Sequence, residues 1–84
     1  MITGPQMKAA RALLAIDQRE LARLSGLSLP TIQRMEACRG TVRGTVESLV
    51  KVVEALQQAG VELIGEGAES VARGRGVRLN LTAT

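Results

Sequence analysis

Apolar side chains recur at intervals of three and four residues through most of residues 4–59, which is the spacing of amphipathic helices. A Ser, Thr or Asp stands before each such run, where its side chain can cap a helix. The sequence therefore predicts four helices, with a loop between the last two. The helices cover about residues 4–15, 18–25, 29–37 and 46–59, and the loop covers residues 38–44.

The last predicted helix has one continuous apolar face at helical spacing. That face consists of Val46, Leu49, Val50, Val53 and Leu56. Gly60 follows and ends the helix. Val52 lies off this face, which indicates that the helix buries a second edge against another part of the molecule.

After Gly60 the pattern changes from helical spacing to short apolar runs. Residues 61–64 and 77–81 are predicted strands, and the second alternates apolar with polar side chains. A lone pair of strands is marginal in water, so these strands need a helix or a second copy of the chain to lie against. The predicted fold class is mainly α: a helical domain over residues 1–60 with a C-terminal pair of short β-strands over residues 61–84.

The most specific pattern in the chain lies between residues 17 and 36. Two short helices meet at Gly26, which can adopt the left-handed conformation that ends the first helix sharply. Ser28 caps the second helix, and Pro30 is tolerated in its first turn. This is the layout of a helix-turn-helix, and it predicts a DNA-binding module.

Positive charge is concentrated in the same half of the chain. Residues 1–44 carry seven basic and three acidic side chains, whereas residues 45–84 carry four basic and five acidic ones. Such an excess is typical of a protein that binds a polyanion. The chain has no His, Phe, Tyr or Trp, so it offers no imidazole for acid–base catalysis and no aromatic ring to stack on single-stranded bases. We expect no enzyme activity, metal or cofactor.

The single cysteine, Cys38, cannot form an internal disulfide, which suits the reducing cytoplasm. It follows the third predicted helix, where it is either a semi-buried filler or a redox-sensitive thiol. No apolar run approaches the roughly 20 residues of a membrane span, and the N-terminus lacks a signal-peptide pattern. A cytoplasmic protein without membrane association is expected.

The run Leu27-Ser-Leu-Pro-Thr-Ile-Gln-Arg-Met-Glu36 and the helix before it resemble the helix-turn-helix of the lambda-repressor and Cro-like (Xre-type) regulators. The resemblance covers about residues 3–60. It implies a four-helix lambda-repressor-like domain that acts as a sequence-specific transcriptional regulator. Two positions differ from the common family pattern: Ala15 stands where a glycine often joins the first two helices, and Ala37-Cys38 stands where a glycine often follows the third.

The resemblance also implies which side chains contact DNA bases. The exposed face of the third helix would lie in the major groove, with its opposite face anchored in the core. Arg34 can bind a guanine edge through two hydrogen bonds, and apolar side chains beside it can contact thymine methyl groups. The expected base-contacting residues are Leu29, Pro30, Gln33 and Arg34, and a phosphate contact or a solvated side chain is the alternative for Arg34.

Helix N-termini and nearby arginines are suited to the phosphate backbone, because they present free N–H groups and positive charge. Ser28 also caps its own helix, and a plain charged loop is an alternative explanation for Arg43. The expected phosphate-contacting residues are Gln18, Ser28, Thr31, Arg39 and Arg43.

In the resembled family, the positions of Arg11 and Glu36 often form a partly buried ion pair. Removing one partner would leave the other charge without compensation, so Arg11→Met and Glu36→Gln are both expected to lower stability sharply.

The expected partner is double-stranded DNA, bound by a homodimer at a pseudo-palindromic operator. Strand tails that pair between two chains would hold the third helices about one DNA turn, roughly 34 Å, apart. The expected dimer interface consists of Val61, Leu63, Val77, Leu79 and Leu81. The alternative is a hairpin within one chain that covers the fourth helix.

A second function remains open for the same fold. An antitoxin or antiactivator could keep the helix-turn-helix and use its fourth helix and tail to bind a regulatory protein. Steep salt dependence of binding would favour the DNA regulator, because phosphate contacts release counterions.

Overall fold

The computed structural model describes residues 2–64 and 76–79. Over these residues the protein is a small, mainly helical globule with an antiparallel strand pair, which confirms the mainly α prediction. The elements are α1 (Gly4–Leu14), α2 (Gln18–Ser25), α3 (Leu29–Glu36), α4 (Val46–Gln58), β1 (Val61–Ile64) and β2 (Gly76–Leu79). Leu81, the last predicted strand residue, lies outside the described residues.

Each helix begins where a short polar side chain satisfies a free backbone N–H group of its first turn. The capping side chain accepts a hydrogen bond from the N–H group three residues further on: Thr3 from Gln6, Asp17 from Glu20, Ser28 from Thr31 and Thr45 from Ser48. Helices α1, α3 and α4 end one residue earlier than predicted because Ala15, Ala37 and Ala59 are their C-caps.

The core is aliphatic and draws on every element from the N-terminus to β1. It consists of Ile2, Met7, Ala10, Leu21, Ala22, Ile32, Met35, Val42, Leu49, Val52, Leu56 and Val61. Ile2 and Val42 come from segments that have no helical or strand pattern, and the sequence did not predict their burial. A short antiparallel bridge between Thr3 and Thr41 brings these two segments together.

The predicted apolar face of α4 is partly confirmed, because Leu49 and Leu56 belong to the core and Val53 packs against it, but its orientation differs. Val46 is 72% exposed and Val50 38% exposed, whereas Val52 is completely buried. Helix α4 packs against α2 and also against β1, so the buried arc of the helix turns toward Leu49, Val52 and Leu56. The second edge expected from Val52 is therefore the centre of the buried face.

The tail strands pair with each other within the chain, as the alternative hairpin requires, and a contact between two copies stays a prediction. Val61 lies opposite Leu79 and Leu63 opposite Val77. The strand pair packs on α1 and α4, which supply the support that an isolated hairpin lacks. Val61 is a core residue of its own chain.

Ala15 ends α1 in the left-handed conformation, with φ of 56°. A residue with a Cβ atom pays about 1–2 kcal/mol for this conformation, whereas glycine adopts it freely. We expect Ala15→Gly to raise the free energy of unfolding by about 0.5–1 kcal/mol after the extra flexibility of glycine in the unfolded chain is counted. Urea unfolding followed by circular dichroism measures the change.

Ala12→Gly is the matched control for this prediction, since Ala12 is exposed within the same helix. It should lower the stability by about 1 kcal/mol. A loss of stability in Ala15→Gly equal to that of the control would contradict the strain argument.

Candidate nucleic-acid interface

Helices α2 and α3 pack against each other and are joined by a tight turn. Gly26 has φ of 74°, and its N–H donates to the carbonyl oxygen of Ala22 at 2.9 Å. The N–H of Leu27 donates to the same oxygen at 3.2 Å, and the Leu27 side chain packs against the core. The turn therefore satisfies the end of α2 and places the start of α3 within three residues.

Helix α3 has one buried face and one exposed face. Ile32 and Met35 are completely buried, which anchors the helix to the core. On the other face Pro30, Gln33 and Arg34 are exposed, and Leu29 is half-buried. Three of the four predicted base-contacting residues are thus freely accessible.

The N-termini of α2 and α3 border a shallow depression on the surface. Gln18 and Arg19 line one side, and Leu29 and Gln33 line the other, with Asp17 at the edge. A residue expected to bind phosphate and residues expected to contact bases are therefore neighbours in space. Arg34 does not line this depression.

Ser28 and Thr31 have partners within the chain. The Ser28 hydroxyl accepts the Thr31 N–H at 3.3 Å, and the two hydroxyl oxygens are 2.8 Å apart. This geometry is the capping role of Ser28.

Arg39 and Arg43 lie in the segment between α3 and α4. They line a second open depression whose floor is formed by residues 40–42. Both side chains are exposed, whereas Val42 between them points into the core. The buried Val42 side chain therefore anchors the segment to the core, while the two arginines face solvent.

The arginines within residues 2–64 and 76–79 fall into two groups. Arg11, Arg23 and Arg78 form ion pairs with Glu36, Glu20 and Glu62. By contrast, no carboxylate in the described parts of the chain pairs with Arg19, Arg34, Arg39 or Arg43. The unpaired arginines are in α2, in α3 and in the segment that follows α3.

Each of the two exposed arginine–glutamate pairs lowers the pKa of its carboxylate. The hydrogen bond from Arg23 lowers the pKa of Glu20, and the hydrogen bond from Arg78 lowers the pKa of Glu62. The Glu20 side chain pairs with Arg23 and accepts no hydrogen bond from the Asp17 N–H, so Asp17 caps α2 alone.

The ion pair of Arg11 with Glu36 is present and joins α1 to the end of α3. Arg11 Nε donates to Glu36 Oε2 at 2.6 Å, and Nη2 donates to Oε1 at 2.8 Å. Gln18 Nε2 also donates to Oε1, at 3.0 Å. The hydrogen bond to Glu36 raises the pKa of Arg11, against the opposing effect of its burial. One carboxylate thus connects three helices.

This arrangement gives Gln18 a role that the sequence did not suggest. Its side-chain amide holds Glu36, so the residue joins the start of α2 to the end of α3 as well as lying at the surface depression. The only local signal is its position directly after the Asp17 cap, which does not indicate a partner 18 residues away.

Cys38 is half-buried and packs against the core, and its Sγ lies 3.7 Å from the carbonyl oxygen of Arg34. This favours the filler role over an open thiol. No cluster of three acidic or cysteine side chains able to hold a metal ion occurs within residues 2–64 and 76–79. None of the helices there combines the length and apolar character that crossing a membrane requires.

Comparison of the sequence with protein-family models and with curated proteins finds no match to either.

Proposed function

We propose that the protein is a sequence-specific regulator of transcription that binds double-stranded DNA through a helix-turn-helix formed by α2 and α3. The observation that carries the proposal is the set of unpaired, exposed arginines on and next to these helices, among them Arg34, Arg39 and Arg43. Arginines that no carboxylate of the described residues pairs with are suited to the phosphates and base edges of a nucleic acid.

In this proposal α3 enters the major groove with its exposed face toward the bases. Arg34 binds a guanine edge, and Gln33 beside it binds a neighbouring base. Pro30 and the exposed part of Leu29 contact thymine methyl groups. The buried face of α3, held by Ile32 and Met35, keeps these side chains in fixed positions.

Phosphates on either side of the groove would be bound from two places. The N-terminus of α2, with Gln18 and Arg19, lies on one side of the depression that α3 borders. At the N-terminus of α3 the Thr31 N–H already donates to Ser28 and Pro30 has no N–H, so the donors left for phosphate are the Leu29 N–H and the Thr31 hydroxyl. Arg39 and Arg43 supply charge beyond the other end of α3, so phosphate contacts would bracket the base-reading helix.

A single small module of this kind covers only a short site, and DNA regulators commonly reach high affinity by binding two half-sites as a dimer. We propose a homodimer on a pseudo-palindromic operator in the cytoplasm. With Val61 buried, the residues of the strand pair left to contact a second copy are Leu79, which is 38% exposed, and the partly buried Leu63 and Val77.

A protein partner is the second candidate. Val46 and Val50 form an exposed apolar strip on α4. No part of the chain that the structure describes buries this strip. An antitoxin or antiactivator that holds a regulatory protein would use such a strip, and its binding would depend little on salt.

The experiment that tests the proposal is selection of binding sites from a random pool of duplex DNA. Enrichment of a sequence with two inverted half-sites, bound with steep salt dependence, would support the dimeric regulator. Failure to enrich any sequence would reject sequence-specific DNA binding.

Base reading and phosphate binding should separate on mutation. We expect Arg34→Ala to weaken binding to the selected site by about 1–3 kcal/mol and to relax the preference at one base pair. Arg39→Ala should weaken binding to all sequences by a similar factor and reduce the salt dependence. Titration of labelled duplexes with single-base changes measures both effects. An unchanged preference in Arg34→Ala would reject the base-reading role.

The dimer has its own test. We expect Leu79→Glu to shift the protein from dimer to monomer in sedimentation at micromolar concentration, because it places a charge in the proposed contact. Val46→Glu is the matched control, since Val46 is more exposed and lies on α4. If the control and not Leu79→Glu produces monomer, the contact between copies belongs to α4.

A further inference from the structure

Residues 2–6, here called the N-terminal brace, are hydrogen-bonded through their backbone to the segment that carries Arg39 and Arg43. The N–H of Gly4 donates to the carbonyl oxygen of Gly40 at 3.1 Å. The N–H of Val42 donates to the carbonyl oxygen of Ile2 at 2.9 Å. The brace therefore forms a short antiparallel pairing with the middle of that segment, between its two arginines.

The brace is buried and tightly packed except at Pro5, which is exposed. Ile2 is 1% exposed and belongs to the core together with Val42. A Cβ atom at Gly4 would lie 2.0 Å from the carbonyl oxygen of Cys38, so the two backbones approach as closely as glycine permits. There is consequently little room for residues 38–42 to move relative to the brace.

The brace is also held in place from its other side. Thr3 and Gln6 form a reciprocal capping box: the Gln6 N–H donates to Thr3 Oγ1 at 3.2 Å and the Thr3 N–H to Gln6 Oε1 at 2.9 Å. Gln6 Nε2 donates to the carbonyl oxygen of Gly76, at the start of β2, at 3.0 Å. Helix α1 and the strand pair thus act together as the support of the brace.

We propose that the N-terminal brace is a positioning element for DNA binding, which holds the segment 38–43 in the conformation that presents Arg39 and Arg43 to backbone phosphates. This inference rests on the proposed DNA-binding function. It goes beyond that function by assigning a role to Ile2 and Gly4, which carry no charge and lie inside the protein.

The physical reason is the entropy of ordering. A segment with Gly40 and Gly44 and no regular structure would lose conformational freedom on contact with DNA, and that loss would weaken binding. Pairing with the brace orders the backbone when the protein folds. The arginines then have less freedom to lose when they bind phosphates.

The test is a double-mutant cycle between the brace and the arginines, measured as affinity for the selected duplex. We expect Ile2→Ala to weaken binding about fivefold to tenfold in the otherwise unchanged protein. In a background with Arg39→Ala and Arg43→Ala, the same substitution should change the affinity less than twofold, because the groups it positions are gone. Ile2→Val, which removes less volume, should show the same pattern at about twofold to threefold if Ile2→Ala does not fold.

Val52→Ala is the matched control, since Val52 is equally buried but lies in α4. Corrected for the folded fraction, it should leave the affinity unchanged in both backgrounds. Hydrogen exchange gives a second readout without DNA: Ile2→Ala should speed exchange of the Val42 N–H more than that of the Ile32 N–H inside α3.

The outcomes separate the two proposals. If the unchanged protein binds no duplex, the proposed function fails, and the brace loses its role with it. If DNA binding and its dependence on Arg39 and Arg43 are present but Ile2→Ala weakens binding equally in both backgrounds, only the brace proposal is overturned. Unchanged exchange at Val42 overturns it as well.

Discussion

Arg11→Met is expected to lower the free energy of unfolding by about 3–5 kcal/mol. The substitution leaves the Glu36 carboxylate inside the protein, where its side chain is 1% exposed, with Gln18 as its remaining side-chain donor. A buried carboxylate that has lost its cation cannot regain the hydration it had in the unfolded chain. In a domain of this size, such a loss is a large part of the total stability.

Replacing the other partner, by Glu36→Gln, should lower the free energy of unfolding less than Arg11→Met does. This differs from the similar effects expected from the sequence. The Arg11 side chain is 21% exposed, so after Glu36→Gln its charge can turn toward water. We expect a loss of about 2–3 kcal/mol, mainly from the charge-assisted hydrogen bonds. Urea unfolding of both variants and of the double variant measures the coupling, and the double variant should lose clearly less than the sum. Additive effects near zero would show that the pair contributes nothing to stability.

Raising the pH should not weaken this pair in the neutral range. The pKa of Arg11 is raised by its hydrogen bond to Glu36, so the stabilisation is complete below the pKa of an unfolded arginine and is lost only in strong alkali.

Gly4→Ala is the second substitution with a large expected effect, a loss of about 3 kcal/mol or more. The added methyl group would lie 2.0 Å from the carbonyl oxygen of Cys38 and 2.8 Å from that of Glu36. Both contacts are to backbone atoms at the end of α3, which cannot rotate away as a side chain does. The clash can therefore be relieved only if the start of α1 moves away from the end of α3.

Gly44→Ala is the matched control, because a Cβ atom there meets nothing within 4 Å. It should leave the stability unchanged or raise it by about 0.4–1 kcal/mol through the unfolded chain. Thermal unfolding followed by circular dichroism compares the two variants. A Gly4→Ala protein within about 0.5 kcal/mol of the unchanged one would show that α1 and α3 can separate at this point without cost.

Local features of the fold are readable directly from the amino-acid order. Each helix starts at a cap whose hydrogen-bond partner is three residues away. Gly26 ends α2 because glycine adopts the left-handed backbone conformation without strain. The division of α3 into a buried and an exposed face follows from helical spacing, because Ile32 and Met35 are the large apolar residues within it. These features depend on neighbours along the chain, so the sequence alone predicts them.

The resemblance to known regulators supplied the pairing of Arg11 with Glu36, which periodicity alone does not indicate. It did not indicate the third partner, Gln18, since the side-chain amide reaches Glu36 only after α2 and α3 have packed. Leu81 and the rest of the predicted contact between copies remain predictions.

Other features exist only because distant segments meet. Val46, Val50 and Val52 are equally apolar and lie on one helix, and the packing of α4 between α2 and β1 decides which of them is buried. Gly4 looks like an ordinary residue before Pro5, yet it lies so close to the backbone at the end of α3 that a Cβ atom would clash there. The strands could have paired within or between chains, because alternation sets which side needs burial and not what covers it. Caps and turns are short-range and appear in the sequence, whereas burial is a property of the partner surface and appears only once the chain has folded.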